Sequence, residues 1–555
     1  MNKKVCSFPI LFALLALLIG TCAVVFPASA QAAPTSTGSI TVSGTVASSY
    51  DAYQIFSANV VDGDSDAKIA TDLAWASDAV RDAALPVLHS AGMPKSQTTA
   101  QEAAEWLNTD SHLTSALSAQ LARSLQSSGA VSVALNAGTA AELPCGYWLI
   151  VADDDAIAQG EAGTAPIMAL VGGSAVTVKP KAATPKVAKH VLEDSAAAWQ
   201  KAADATVADD LYWRLSATVP AGLTAYDTYT VRFVDTMSAG LDPSKVAASM
   251  RVYAAAGADG GFDAVSAGRD GRAGTDPAKG WTDITAQCAT KVAADGTFTV
   301  RTGDLIAALG GADAFTAGAR VVAVYNAPLN SACNHGIAKG NPNEVYLRYP
   351  RSPFADQSGD AGFTHTPSDD ACAYTWDLAL TKRGSDGDKP LAGAVLSIAD
   401  DRGRTLAADD TWDAEGKATV TTGEDGRVTV SGVDSGKQEV RELKAPKGYT
   451  AFEGTRSVTV KAEGLDVDQV AAAKPKLTIT AESPLRADSA DGSTGSLEAS
   501  LINTPTGTPP SITTGGFMPS TGDMAMYAAA AAAVAGAALI VVALLVKRGG
   551  GSHKE

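Results

Sequence analysis

The chain reads as mainly β, with tandem β-sandwich domains after a mixed α/β N-terminal domain and a transmembrane helix near the C-terminus. Three observations predict this. Short alternating runs recur between turn residues, as in Gly38 to Val46, Tyr229 to Val234 and Lys417 to Thr421, the pattern of sandwich strands. Helical patterns enter the first domain, with Thr99 and Glu102 as a capping box ahead of Ala103, Ala104, Trp106 and Leu107, and again from His112 to Leu125. The stretch from Met524 to Val546 is apolar. At about 23 residues it spans roughly 34 Å as a helix, enough to cross a bilayer core.

The N-terminal end has its own signal. Lys3 and Lys4 precede the apolar stretch Phe8 to Phe26, which closes on Ala28, Ser29 and Ala30, a small-x-small cleavage pattern. Residues 1–30 are therefore expected to be a secretory signal peptide. Cys6 and Cys22 leave with it, so Cys145, Cys288, Cys333 and Cys372 remain in an oxidising compartment. Four cysteines allow three complete pairings; Cys288 and Cys333 fall in one domain and are the candidate pair.

About 490 residues lie between signal peptide and C-terminal segment, too many for one core and suited to three domains. The first spans 34–178. A linker rich in Pro and Lys follows at 179–185, where the chain runs extended. The second domain spans 186–352, and a stretch at 353–375 with little apolar content reads as the next linker. An all-β domain runs from 376 to 504. After it come the pentapeptide 518–522, the span 524–546 and a basic tail, 547–555. Lys547 and Arg548 place that tail in the cytoplasm by the positive-inside rule and everything before Met524 outside.

The net charge of −17 argues against nucleic acid as a partner. The six histidines, His89, His112, His190, His335, His365 and His553, are scattered, and no HExxH, GxSxG or P-loop occurs. Neither an enzyme of those classes, a cofactor nor a metal is expected.

The order Met518, Pro519, Ser520, Thr521, Gly522, apolar span, basic tail resembles the cell-wall sorting signal of Gram-positive surface proteins. In that family an LPxTG pentapeptide is cut between Thr and Gly by the transpeptidase sortase. Met518 stands where Leu is usual, a near-isosteric apolar swap. In the third domain, Lys382 ends the alternating strand from Trp376, Glu442 opens Glu442-Leu-Lys-Ala-Pro-Lys-Gly-Tyr449, and Asn503 precedes Thr504-Pro505. These resemble a collagen-adhesin B-type (CnaB) domain, whose first-strand Lys and last-strand Asn form an internal isopeptide bond catalysed by the Glu. The resemblance implies a Lys382–Asn503 bond with Glu442 as catalyst. The chemistry needs those types: only a neutral amine is nucleophilic, and an amide is attacked readily only when its oxygen receives a proton or hydrogen bond. Burial favours both neutral forms, and fixed neighbours make the step intramolecular.

The second domain resembles the middle, CnaA-type domain of pilins, with Lys189 on its first strand, Asp235 on the catalytic-acid strand and Gly340 to Tyr349 as its last strand. The family pattern continues Tyr-Ser-Asn, whereas Pro350 and Arg351 follow Tyr349 here. Asn343 keeps the same strand parity, but at about 3.3 Å per residue it lies roughly 26 Å from that position and is expected not to replace the missing Asn. Without a second bond at Lys189, Arg351 is the expected partner of Asp235.

Lys179-Pro180-Lys181 resembles the YPK pilin motif, whose Lys attacks the sortase acyl-enzyme. Lys181 is the best match, with Lys179 and Lys186 as alternatives. Taken with the opening Tyr50 to Phe56 and the domain order, the whole chain resembles a sortase-assembled backbone pilin. The resemblance implies polymerisation through Thr521 and Lys181 of the next subunit, then attachment to peptidoglycan, with sortase and identical subunits as partners. It also implies a cell-wall location, a role in adhesion, and accessory pilins or a host ligand as further partners. The competing reading is a wall-anchored adhesin that is never polymerised and binds a host ligand.

Overall fold

The computed structural model describes residues 36–507 except 65–66, 110, 164, 181–183, 208, 220, 222, 258–279, 312–317, 337 and 410. The signal peptide, Lys181, the pentapeptide Met518 to Gly522 and the apolar span all lie outside the described residues. Among the described residues no helix is long and apolar enough to cross a membrane.

The first domain is mixed, with two small sheets and three helices. One sheet has the order Lys68–Trp75, Ser49–Asp62, Gly146–Ala152, Ile167–Val171, and the other pairs Thr37–Val42 with Ala140–Pro144 and Val176–Val178. The helices Asp78–Ser90, Ala100–Asn108 and Ser115–Ser128 cover the larger sheet through Val80, Leu88, Leu121 and Leu125. Thr99 and Glu102 form the capping box expected of them, satisfying backbone donors at the second helix's start. The third helix begins later than its apolar pattern suggests, because the Thr114 hydroxyl accepts from Leu117 N and caps it.

The middle domain is a sandwich. One sheet orders Ala198–Gln200, Lys186–Glu193, Tyr212–Val219, Ala319–Asn326, Arg251–Ala256 and Thr282–Asp283. The facing sheet orders Ala202–Asp204, Asp369–Tyr374, Asn341–Pro350, Arg232–Met237, Thr297–Arg301 and Ala289–Val292. Trp213, Phe233, Phe298, Leu347 and Tyr349 are buried in the core cluster between them. Full burial of such side chains contributes about 1.5–3 kcal/mol each. The stretch read as a linker at 353–375 is corrected here: Phe363–His365 and Asp369–Tyr374 are strands of this sheet, paired with Asn341–Pro350. Its Pro- and Gly-rich composition hides the alternation of the short apolar segment Ala371–Tyr374, which is buried.

The third domain packs two sheets around Trp376, Leu378, Leu380, Leu396, Ile398, Val440 and Leu501. Its first strand, Trp376–Gly384, pairs in parallel with its last, Ser496–Pro505, and antiparallel with Arg427–Val433. The opposite sheet is centred on Val395–Ala399, Gly436–Lys444 and Thr455–Glu463. The carbonyl of Gly426 (φ +74°) accepts from Lys382 N at 2.7 Å, and a Cβ there would lie 2.8 Å from Lys382 O. Only glycine lets that turn close on the lysine's strand.

One residue, Thr375, separates the last strand of the middle domain from the first strand of the third. Asp204 Oδ2 accepts from Trp376 Nε1 (2.6 Å) and from Ser435 N (3.0 Å), and Arg404 pairs with Asp209 and Asp400 at 2.6 Å each. The joint is thus tied by backbone continuity and by charge-assisted hydrogen bonds.

Candidate functional sites

Strand alternation fixes which side chains enter the third domain's core. Trp376, Leu378, Leu380 and Lys382 face inward along the first strand, Gln438, Val440 and Glu442 along the middle one, and Leu497, Ala499, Leu501 and Asn503 along the last. Lys382 and Asn503 come together because the parallel register sets Lys382 opposite Leu501 and Gly384 opposite Asn503. Glu442 reaches them from the facing sheet, opposite Leu396.

Lys382 Nζ lies 3.6 Å from Glu442 Oε1, and both side chains are 0% exposed. Asn503 Nδ2 donates to Glu442 Oε1 and Oε2 at 2.9 and 3.0 Å. Lys382 Nζ also donates to Leu501 O at 3.1 Å. Burial pushes the Lys382 ammonium down to about 8, with Glu442 opposing the shift. Asn503 Oδ1 is buried without a hydrogen-bond partner. An orphaned acceptor costs about 1–3 kcal/mol, and a carboxylic acid proton is what it lacks.

The middle domain holds a second such cluster. Lys189, Asp235 and Asn343 are fully buried. Lys189 Nζ donates to Asp235 Oδ2 and, at 3.0 Å, to the Tyr325 hydroxyl. Tyr325 donates to Asp235 Oδ2 at 3.2 Å and accepts from Asn343 Nδ2 at 2.8 Å. Asp235 Oδ1 and Asn343 Oδ1 have no partner. Burial pushes Lys189 down and Asp235 up, each partly offset by the other. Phe298 packs edge-on against Tyr325 at 4.8 Å.

Three expectations are corrected here. Asn343 does sit at the Lys189 site, because pairing sets Met237 opposite Asn343 and Asp235 opposite Val345, placing the start of the last strand at the acid. Arg351, at the strand's other end, does not reach Asp235; its guanidinium donates to Asp154 O at 3.2 Å and faces Asp155 at 3.8 Å in the first domain. The expected Cys288–Cys333 pair is also absent, both being free thiols, as are Cys145 and Cys372. Cys288 lies against Ile284 O and Cys333 in the loop before Asn341, so sharing a domain did not make them neighbours across a bond.

Tyr325 was not singled out by sequence. Its inward parity with Val321 and Ala323 was readable, but a tyrosine on that face reads as core. Of the candidate linking lysines, Lys179 and Lys186 are exposed. Among the described residues no group of three His, Cys, Asp or Glu is arranged for a metal ion.

Residues 377–474 match the family model of the SpaA prealbumin-like fold domain. The trypsin-resistant surface T6 protein of Streptococcus pyogenes serotype M6 is 30% identical over 143 residues, covering 24% of this chain and 24% of that protein. Among solved structures, the T6 backbone pilin of serotype M6 S. pyogenes overlays with a TM-score of 0.45 at 16% identity, covering 85% of this chain and 98% of that one. The full-length major pilin SpaD of Corynebacterium diphtheriae gives 0.41 at 15% identity, covering 85% and 98%. Residues 377–474 are thus similar to a SpaA prealbumin-like fold domain, in a chain similar to Gram-positive backbone pilins.

Proposed function

We propose that this chain is the structural backbone subunit of a covalently polymerised surface pilus, stiffened by internal isopeptide bonds. The observation that carries the reading is the buried Lys382, Glu442 and Asn503 cluster, gathered from three strands of the prealbumin-like domain. Burying a lysine–carboxylate pair costs several kcal/mol per ion, and well-packed apolar residues would serve stability better. Chemistry explains the pair more simply. Glu442 takes the proton that Lys382 gives up, and a half-turn of the Asn503 amide brings its oxygen to that acid. The neutral Nζ attacks Asn503 Cγ, the Nδ2 group takes up a proton, and ammonia leaves as the Nζ–Cγ amide forms. The same steps at Lys189 and Asn343, with Asp235 as acid and Tyr325 holding both nitrogens, give a second bond.

Polymerisation uses the ends. Sortase cleaves after Thr521 in Met518-Pro519-Ser520-Thr521-Gly522, and the Thr521 carbonyl passes to Lys181 of the next subunit, or at the base to a peptidoglycan amine. The apolar span and basic tail hold the precursor in the membrane until then. Isopeptide bonds suit such a fibre because a tie to the last strand lets a domain bear tension without unfolding. Immunoblots of wall extracts test the assembly step: a high-mass ladder that collapses in Lys181→Ala is expected, and a single band in the wild type would overturn it.

A further inference from the structure

The joint between the middle and third domains buries three carboxylates close together. Glu193 and Asp204 each end a strand of the middle domain, and Asp434 lies in the turn between Arg427–Val433 and Gly436–Lys444 of the third. Their exposures are 3%, 3% and 8%. None belongs to a crosslinking site.

Hydrogen bonds fix how they meet. Ser435 N donates to Asp204 Oδ2 at 3.0 Å and to Asp434 Oδ1 at 2.6 Å, so one N–H gathers a carboxylate from each domain. Asp204 Oδ2 also accepts from the Ser435 hydroxyl at 2.5 Å and from Trp376 Nε1, both in the third domain. Asp204 N donates to Glu193 Oε2 at 3.0 Å, which brings a third carboxylate against the pair.

The cations nearby are engaged elsewhere. Arg402 pairs with Asp209 and Asp194, Arg404 with Asp209 and Asp400, and Lys245 with Asp210. Among the described residues no cation pairs with Glu193, Asp204 or Asp434. A cleft of about 980 Å³, lined also by Asp401, opens beside Asp204 and Asp434 and gives water access to them.

Two buried carboxylates sharing one N–H cannot both ionise cheaply, because desolvation and like charge act in the same direction. Burial, then the charge of Asp204, holds Asp434 well above the ordinary carboxylate range, and the same two causes push Glu193 up to about 7.

We propose that this joint is a proton-held clasp: one proton sits on the Asp204–Asp434 pair while the two domains are docked, and docking weakens when it is withdrawn. Three donors converge on Asp204 Oδ2 and keep it the anion, which puts the proton on Asp434. Only Thr375 separates the strands on either side, so the joint can bend there when the clasp opens. Undocked, both carboxylates face water and titrate near about 4. Between that value and the higher one of the docked pair, the docked form holds one proton more. Docking is therefore strongest in acid and weakens as pH rises through the window.

Infrared difference spectra and hydrogen exchange of the purified full-length chain test this. A carboxylic-acid carbonyl band that persists at pH 7 in the wild type and is missing in Asp434→Asn is expected. Exchange of residues 433–437, taken relative to residues 440–444 in the third domain's core at each pH, reports opening of the joint. That relative protection is expected to fall at least about tenfold for each pH unit between 5 and 7, and Asp434→Asn, neutral at every pH, to remove about tenfold per unit of the fall. An acid band that Asp434→Asn leaves unchanged, or a wild-type ratio that is flat or rises with pH, would overturn the proposal. So would an equally steep fall in the two proteins, and the wild-type ratio decides even where the variant fails to fold.

Discussion

The two lysine sites differ in how the asparagine meets the acid. In the third domain Asn503 Nδ2 donates directly to both Glu442 oxygens, and Lys382 lies within 3.6 Å of that carboxylate. In the middle domain the Tyr325 hydroxyl stands between, taking the Asn343 amide at 2.8 Å and donating to Asp235 at 3.2 Å. The difference teaches that two sandwiches can gather the same three side-chain types so long as parallel or antiparallel register brings one inward lysine, one inward acid and one inward asparagine to the same depth. In one case the acid does all the positioning; in the other a phenol shares it.

The largest test of that comparison removes the acid from the direct site. Glu442→Ala is expected to leave Lys382 and Asn503 unlinked and to lower the stability of the third domain by about 4–5 kcal/mol, the loop-closure entropy of a tie enclosing on the order of a hundred residues. Differential scanning calorimetry checks it, and an unchanged third-domain transition would count against a bond there.

A smaller effect isolates the buried amine. In Asn503→Ala no bond can form, so Lys382 remains titratable, near 8 in the fold against 10.5 in the unfolded chain. Between those values the unfolded state holds a proton that the folded state has released, so stability rises with pH through the window and is flat below it. The gain is up to about 3 kcal/mol relative to Asn503→Ala with Lys382→Met. Urea titrations at pH 7 and 10 measure it, and a difference that falls with pH would contradict the burial argument.

The smallest expected effect sharpens the contrast. Tyr325→Phe should cost the middle domain about 1–2 kcal/mol and leave a fraction of chains unlinked at Lys189, because the hydroxyl aligning Asn343 is lost, while the third domain keeps its bond. Peptide mapping distinguishes the two. Equal loss at both sites would erase the distinction drawn between them.

How far the sequence could be read follows from the same contrast. Lys382, Glu442 and Asn503 were legible because each is marked locally, by an alternating strand, by the Ala-Pro-Lys-Gly-Tyr turn and by Thr-Pro. Lys189 and Asp235 were legible too, but the bonding asparagine was sought at the far end of the last strand, after Tyr349, and Asn343 was set aside. Only the register against Arg232–Met237 decides that, and register is set by tertiary pairing. The strands at Phe363–His365 and Asp369–Tyr374 were hidden by composition, and the charge network of Asp204, Asp209 and Arg404 exists only when two domains dock. Cys333 looked like half of a disulfide because spacing says nothing of what a loop places beside it.

Intact-mass measurement of the purified chain tests the central claim most directly. The wild type is expected to weigh less than its sequence by two ammonias, and Glu442→Ala and Asp235→Ala by one each. A wild-type chain at its full sequence mass would contradict internal crosslinking altogether.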